Sequence, residues 1–291
     1  MRLDTPEGNL APSRRAIAAS FFTAGYALSL SPPAAAAITT SAEGLVIEEP
    51  TFPGANAYQL PAFLARPATP GRHPAIIVVN EVFGIHEYIK DICRRLAHAG
   101  YVALAPDYFD RAGDPAQISD FNQIRPIIAA THYEQVMGDT EGALRYLEHN
   151  AHVDAHKLAI TGFCWGGNVV WMAAGRFPQL KAAVAWYGRL TPPAQGDFGY
   201  EVGRPWPIDI AGSLRAPVLG LYGGQDQGIT PASVEQMRAA LAAAHDHTHS
   251  ELVVYPDAGH GFHADYRDSY NEADAQDGWR RMLAWFTAHG V

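Results

Sequence analysis

The segment Thr161-Gly162-Phe163-Cys164-Trp165-Gly166-Gly167-Asn168 sets the architecture of this chain. Ahead of it Lys157-Leu158-Ala159-Ile160 reads as a short buried strand, and behind it Asn168-Val169-Val170-Trp171-Met172-Ala173-Ala174 reads as a helix. The segment is therefore a strand-to-helix turn of the form Gly-x-Cys-x-Gly. In such a turn the central backbone is strained, and glycines two positions to either side let strand and helix approach without Cβ clashes. The central side chain is thereby pushed out above the sheet. Gly162 and Gly166 are those glycines, and Cys164 is the candidate nucleophile. A thiolate is intrinsically nucleophilic, and the positive end of the helix that follows favours it. The competing reading of the same residues is a buried structural cysteine in a glycine-rich turn.

Neighbouring segments supply the sheet that such a turn requires. Pro74-Ala75-Ile76-Ile77-Val78-Val79 is continuously apolar, the pattern of a strand buried on both faces, and it ends in Asn80-Glu81-Val82-Phe83-Gly84. A helix to about His98 and a strand Tyr101 to Ala105 follow, giving β-α-β alternation. Beyond Cys164 the strands are Lys181 to Tyr187, Ala216 to Tyr222 and Glu251 to Tyr255, and the helices are Pro231 to Ala244 and Asn271 to Ala288. Leu45-Val46-Ile47 and Tyr58 to Leu64 flank a Pro53-Gly54 turn and read as an antiparallel start to the sheet. Arg111 to Thr131 reads as a loop with short helical pieces, Tyr133 to Asn150 as a helix, and Gly188 to Arg215 as a Pro- and Gly-rich connection too short for a lid domain. The expectation is an α/β fold, a mostly parallel wound sheet with helices on both faces, in one domain over residues 41–291.

Composition bounds the partners. At 291 residues, 48% hydrophobic and 18% charged, the chain can bury one substantial core. Thirty acidic against 21 basic residues give a net charge of −9, which repels phosphate backbones and anionic membrane surfaces, so nucleic acid is not an expected partner. The cysteines, Cys93 and Cys164, have neither disulfide-framework nor zinc-site spacing. Cys93 shares the apolar face of its helix with Ile89, Ile92, Leu96 and Ala97 and reads as core. His245, His247 and His249 follow an Ala-rich helix and read as a solvated turn, so neither a metal nor a cofactor is expected.

Residues 1–40 are set apart from the domain. Ser13-Arg14-Arg15 precedes an apolar stretch from about Ala16 to Leu30, and Pro32-Pro33-Ala34-Ala35-Ala36-Ala37 supplies small residues suited to signal-peptidase cleavage. The pattern resembles a twin-arginine export signal, which would make the mature chain periplasmic or secreted. The apolar run falls short of the ~20 residues that cross a bilayer, so no membrane span is expected in the mature chain. The alternative is a disordered Ala-rich extension or a surface helix on a cytoplasmic protein.

A cysteine nucleophile needs a base, and the base needs an orienting acid. In α/β-hydrolases these follow the nucleophile in the order acid, histidine, on loops at the carboxyl ends of later strands. Here the strand Val218 to Tyr222 ends in Gly223-Gly224-Gln225-Asp226, and the strand Leu252 to Tyr255 ends in Pro256-Asp257-Ala258-Gly259-His260-Gly261-Phe262. Asp226 and His260 thus fall at the sheet edge where Cys164 emerges. The oxyanion hole falls to the backbone N–H of Trp165, directly after the nucleophile, and of Val82, in the loop after the earlier strand.

Taken together, the elbow Gly162-Phe163-Cys164-Trp165-Gly166-Gly167, the loop Asn80 to Gly84, the acid loop Gly223 to Asp226 and Gly259-His260-Gly261-Phe262 resemble the dienelactone hydrolases, or carboxymethylenebutenolidases. The resemblance runs from about Leu45 to the C-terminus. It implies Cys164 as nucleophile, Asp226 as orienting acid and His260 as base. It further implies Glu81 as a partner that contacts the resting thiol and takes its proton when substrate binds; without the resemblance, Glu81 is a surface carboxylate beside a helix start. Phe83, Trp165 and Tyr187 would line the substrate pocket, or else belong to the core. The family holds the carboxylate of its lactone with two arginines, one of them four residues after the histidine. Here that position is Ala264, followed by Asp265, and Gly261 stands where a hydroxyl donor would follow the histidine.

The expected activity is hydrolysis of a lactone or small carboxylic ester by a monomeric enzyme through an acyl-enzyme. Its preference for anionic substrates is expected to be weakened unless Arg111, Arg125 or Arg189 substitutes for the missing clamp. The alternatives are a general esterase of small neutral esters and a non-catalytic exported protein that binds a ligand on the same fold.

Overall fold

Strands β4 (His73–Val79) and β6 (Val153–Phe163) form the axis of the structure, a computed structural model that describes residues 38–245 and 247–291. Along β4 the side chains alternate between two cores: Ala75, Ile77 and Val79 enter one, Ile76 and Val78 the other. Burial on both faces is why this strand is apolar at every position from Ala75 to Val79 instead of every second one. Strands β7 (Leu180–Trp186), β8 (Val218–Gly223) and β9 (Glu251–Tyr255) extend the parallel sheet on one side, and β5 (Val102–Pro106) extends it on the other. Beyond β5, strand β3 (Gln59–Pro67) runs antiparallel, and β1 (Leu45–Glu48) and β2 (Thr51–Pro53) both pair antiparallel with it.

Helices cover both faces, so the expected wound α/β sheet is what forms. Residues of α1 (Glu87–His98), α2 (Phe121–Ala130) and α6 (Glu272–Ala288) join the core on one face. Residues of α3 (Tyr133–His149), α4 (Trp165–Arg176) and α5 (Pro231–Ala243) join the other. Cys93 is fully buried on α1, as its helical face requires, and burial pushes its thiol pKa up. Register then fixes the functional edge. Val79 pairs with Gly162, Phe163 with Trp186, Trp186 with Leu221, and Gly223 with Tyr255, so the chain leaves all of these strands at one common edge.

Two elements differ from expectation. Strand β6 begins at Val153, not Lys157, because the polar side chains between the buried Val153 and Leu158, among them the exposed His156 and Lys157, break the apolar pattern. Strand β2 is only three residues long, too short for a periodicity. Between β7 and β8 the chain forms a connection with a short 3-10 turn at Pro207–Ile210 and no lid domain.

The proposed export signal lies outside the described residues but for its last three. Where description begins, the Thr40 N–H donates to the Asp91 carboxylate of α1, and His98 Nε2 on the same helix lies 2.8 Å from the Ser41 carbonyl oxygen. Among the described residues no helix is long and apolar enough to cross a membrane.

Candidate active site

Cys164 sits between β6 and α4 with φ 56° and ψ −114°, a conformation that costs an L-residue about 1–3 kcal/mol and persists only where its surroundings enforce it. The enforcement is visible on both sides. A Cβ on Gly162 would lie 2.6 Å from the Gly166 carbonyl oxygen, and one on Gly166 would lie 2.5 Å from that of Val79. Strand and helix therefore touch backbone to backbone, and the Cys164 N–H is drawn to the Trp186 carbonyl at 3.0 Å. The side chain is left as the one part of the turn that can project over the sheet edge.

What it meets there is His260, whose Nε2 lies 3.2 Å from Cys164 Sγ. The other ring nitrogen, Nδ1, donates to Asp226 Oδ2 at 2.7 Å. Asp226 is itself immobilised, because its Oδ1 accepts the Gly228 and Ile229 N–H groups at 2.7 and 2.9 Å. All three residues are buried. Burial disfavours an imidazolium, but the Asp226 carboxylate and the Cys164 sulfur outweigh it and raise the His260 pKa. The arrangement sets the His260 ring between the Cys164 sulfur and the Asp226 carboxylate. Tyr187 packs edge-on against the His260 ring with centroids 5.2 Å apart.

Glu81 is fully buried beside this line, yet its carboxylate faces elsewhere. It accepts from the Tyr266 hydroxyl, lies 3.1 Å from Arg267 Nη2 and is 3.6 Å from His86 Nε2. The thiol that the family resemblance places on Glu81 is turned to His260 instead. Burial would raise the carboxyl pKa, but Arg267, His86 and Tyr266 together hold it down to about 2.

Arg267 is the residue that sequence reasoning missed. The segment after His260 advances by three-residue turns, with Ala264 N–H donating to Gly261 O at 2.9 Å, Arg267 N–H to Ala264 O at 3.0 Å and Tyr270 N–H to Arg267 O at 3.1 Å. Position 264 is thereby buried, and the guanidinium three residues later reaches Glu81 and raises its own pKa through the charges of Glu81, Tyr266 and Cys164 against the opposing effect of burial. Asp265 points away and pairs with Arg95 at 2.6 Å. The offset position thus carries no cation, and the arginine three residues further on is paired with Glu81. Arg111 is no substitute, being bound to both oxygens of Asp139 at 2.6 and 2.8 Å, and Arg125 lies over Phe198.

A cavity of about 150 Å³ opens at Cys164, lined at that end by Val82 and Trp165 and further out by Ile128, Phe198 and Arg204. Among the described residues neither the Val82 nor the Trp165 N–H has a protein acceptor, so both remain available to an oxygen in the cavity. Phe83 and Tyr187, expected on the wall, are corrected to core positions. Phe83 is covered by the Arg267 guanidinium at 5.2 Å, and Tyr187 backs His260. Behind them the Tyr88 hydroxyl lies 2.6 Å from His263 Nδ1, and burial first, then Arg95, lowers the His263 pKa to about 3, so that ring is neutral packing. Among the described residues no cluster of three or more potential metal ligands occurs.

Residues 60–290 match the family model for dienelactone hydrolases. A protein of Methylorubrum extorquens with the provisional name carboxymethylenebutenolidase is 45% identical over 281 residues, covering 96% of this chain and 94% of its own. One from Salmonella typhimurium with the same provisional name is 48% identical over 268 residues, covering 91% of this chain and 96% of its own. A crystal structure from Klebsiella pneumoniae, provisionally named a dienelactone hydrolase, is similar with a TM-score of 0.77 at 46% identity, over 84% of this chain and 98% of that one.

Proposed function

We propose, from the premise that this chain belongs to the dienelactone hydrolase family of carboxylic ester hydrolases, that it cleaves a lactone or small ester through a Cys164 acyl-enzyme. The observation that carries this reading is the unbroken line from Cys164 Sγ through both ring nitrogens of His260 to Asp226. The thiolate attacks the carbonyl carbon, forming a C–S bond, and the carbonyl oxygen takes the negative charge in reach of the Val82 and Trp165 N–H groups. Such donors contribute about 2.7–4 kcal/mol each when they meet the developing charge. The intermediate collapses as His260 gives its proton to the leaving alkoxide and the C–O bond breaks; in a lactone the ring opens and the new hydroxyl stays tethered to the acyl group. Water then gives a proton to His260 and adds to the thioester, the C–S bond breaks, and a carboxylic acid leaves with the thiol restored. The test is a rapid-mix experiment with p-nitrophenyl acetate. A burst of nitrophenolate and a mass increase of one acetyl group on the peptide bearing Cys164 are expected; turnover without either would point to direct attack by water.

We also propose that the segment ahead of the domain is a twin-arginine signal, cleaved between about residues 37 and 42. The contacts of Thr40 and Ser41 with α1 support cleavage ahead of Thr40, which leaves them intact. N-terminal sequencing of periplasmic material is expected to begin there. Full-length protein confined to the cytoplasm, or export that survives conversion of Arg14 and Arg15 to lysine, would sink the proposal.

A further inference from the structure

The cavity at Cys164 has a second space behind it. Thr131, Trp165, Asn168 and Arg204 line the cavity and also line a crevice of about 10 Å³ between α3 and α4. The rest of that crevice is apolar and buried: Val136 and Met137 come from α3, Val169 and Met172 from α4. Helical spacing makes it a lane. Trp165, Asn168, Val169 and Met172 fall at i, i+3, i+4 and i+7 along α4, so they share the face that starts beside the nucleophile. Tyr133, Val136 and Met137 share one face of α3 in the same way. Met172 stands about 12 Å along the helix axis from Cys164. The partition at the mouth of the lane is made of side chains, Arg204 Nη2 donating to Asn168 Oδ1. Interiors hold few voids, and one walled by two methionines is walled by unbranched side chains that enlarge it by changing rotamer.

Elsewhere the cavity is less hospitable to hydrocarbon. Its wall also carries Arg189, Glu201 and Arg204, whose charged groups an alkyl chain would strip of water. In the thioester the acyl part stays on Cys164, at the mouth of the lane, while the alcohol leaves. A straight acyl chain that outgrows the cavity therefore gains most by turning inward between α3 and α4. We propose that Met172, with Met137 across the crevice from it, is the end stop of an acyl-chain subsite and sets the longest straight acyl chain the enzyme takes. The inference rests on the acyl-enzyme reading above and adds a specificity determinant to it.

The test uses p-nitrophenyl acetate, butanoate, hexanoate and octanoate. Wild-type kcat/KM is expected to fall beyond butanoate, where the chain meets the methionines. Met172→Ala is expected to raise the octanoate-to-acetate ratio by about tenfold or more, since each methylene newly buried is worth about fourfold. Met137→Ala is expected to move it the same way and carries the test should Met172→Ala not fold. Met172→Leu, which nearly keeps the volume, is expected to leave the ratio near the wild-type value. Met237→Ala is the control for lost packing, because Met237 is also buried in this core, on α5, but does not line the crevice. It is expected to lower Tm without moving the ratio. An unchanged ratio in both Met172→Ala and Met137→Ala, or an equal rise in Met237→Ala, overturns the proposal. The subsite is also read without turnover: alkylation of Cys164 by N-octyl iodoacetamide, relative to iodoacetamide, is expected to rise in Met172→Ala. That rise in a chain that hydrolyses none of the esters would refute the hydrolase reading and keep the subsite. Hydrolysis with neither the ratio nor the alkylation shifted would do the reverse.

Discussion

Replacing Cys164 with alanine is expected to lower hydrolysis of every ester the chain accepts by about 10⁴-fold or more, leaving only what the cavity and the oxyanion hole contribute alone. Cys164 lines the cavity, and its sulfur lies 3.2 Å from His260 Nε2. His260→Ala is expected to fall about as far, and the double variant no further, because two groups that act as a unit do not lose rate additively. Cys93→Ala is the contrast. Its thiol is fully buried on α1, with a raised pKa, so its loss is expected to cost packing, on the order of 1 kcal/mol, and leave the rate in place. Steady-state kinetics and intact mass after iodoacetamide read both outcomes. A Cys164→Ala variant that keeps a tenth of the rate, or an adduct on Cys93, would remove Cys164 from the nucleophile's role.

Arg267→Met is expected to be among the most destabilising single changes in the chain. Arg267 and Glu81 are both buried, and removing one partner strands the other's charge, at a cost of about 3–5 kcal/mol. For a domain of this size that lowers Tm by about 10 °C at neutral pH. The pH dependence separates lost pairing from lost packing. In the wild type Glu81 titrates near 2, below the ordinary value of 4.5, so its ionised form contributes stability in full above about pH 4.5 and loses it as the pH falls towards 2. Without Arg267, burial, the largest single influence on Glu81, is expected to push its pKa above the ordinary value. Ionised Glu81 then penalises the fold at neutral pH, and protonation relieves it. The Tm gap between wild type and variant is therefore expected to be widest at pH 7 and to narrow as the pH drops below about 5. A gap that stays constant from pH 7 to pH 4 in thermal melts would assign the loss to packing, and Arg267→Lys would then melt no higher than Arg267→Met.

The parts of the site that follow strands were legible in the sequence. Cys164, Asp226 and His260 each come within five residues of the end of a strand, and parallel register puts the ends of such strands on one edge whatever the connections do. Backbone donors were legible for the same reason, since a residue's N–H is placed by the turn it belongs to. Side-chain direction was not. Phe83 and Tyr187 adjoin the elbow edge exactly as wall residues would, and only the packing of Arg267 and His260 over them turns them into core. Arg267 was hidden by counting: a fixed offset from the histidine assumes one backbone path, and the three-residue turns after Gly261 follow another. Arg204 lies in a Pro- and Gly-rich connection with no periodicity, and no local signal shows that this connection folds back onto Asn168 of α4.

The short tract from His260 to Arg267 carries the imidazole that faces the thiol, the buried His263, the Tyr266 hydroxyl and the guanidinium that neutralises Glu81. Tyr266 and Arg267 meet each other, but each group is anchored on another part of the fold: His260 on Cys164 and Asp226, His263 on Tyr88, Tyr266 and Arg267 on Glu81. For protein engineers the tract is a cassette only together with those anchors. Transplanted whole between related scaffolds, with a glutamate waiting at position 81, it brings base and counter-ion together; spliced in the middle, it would deliver a histidine to a site whose acid has been orphaned. Divergence by recombination meets the same constraint, so a crossover within these eight positions is a poor place for two lineages to exchange specificity.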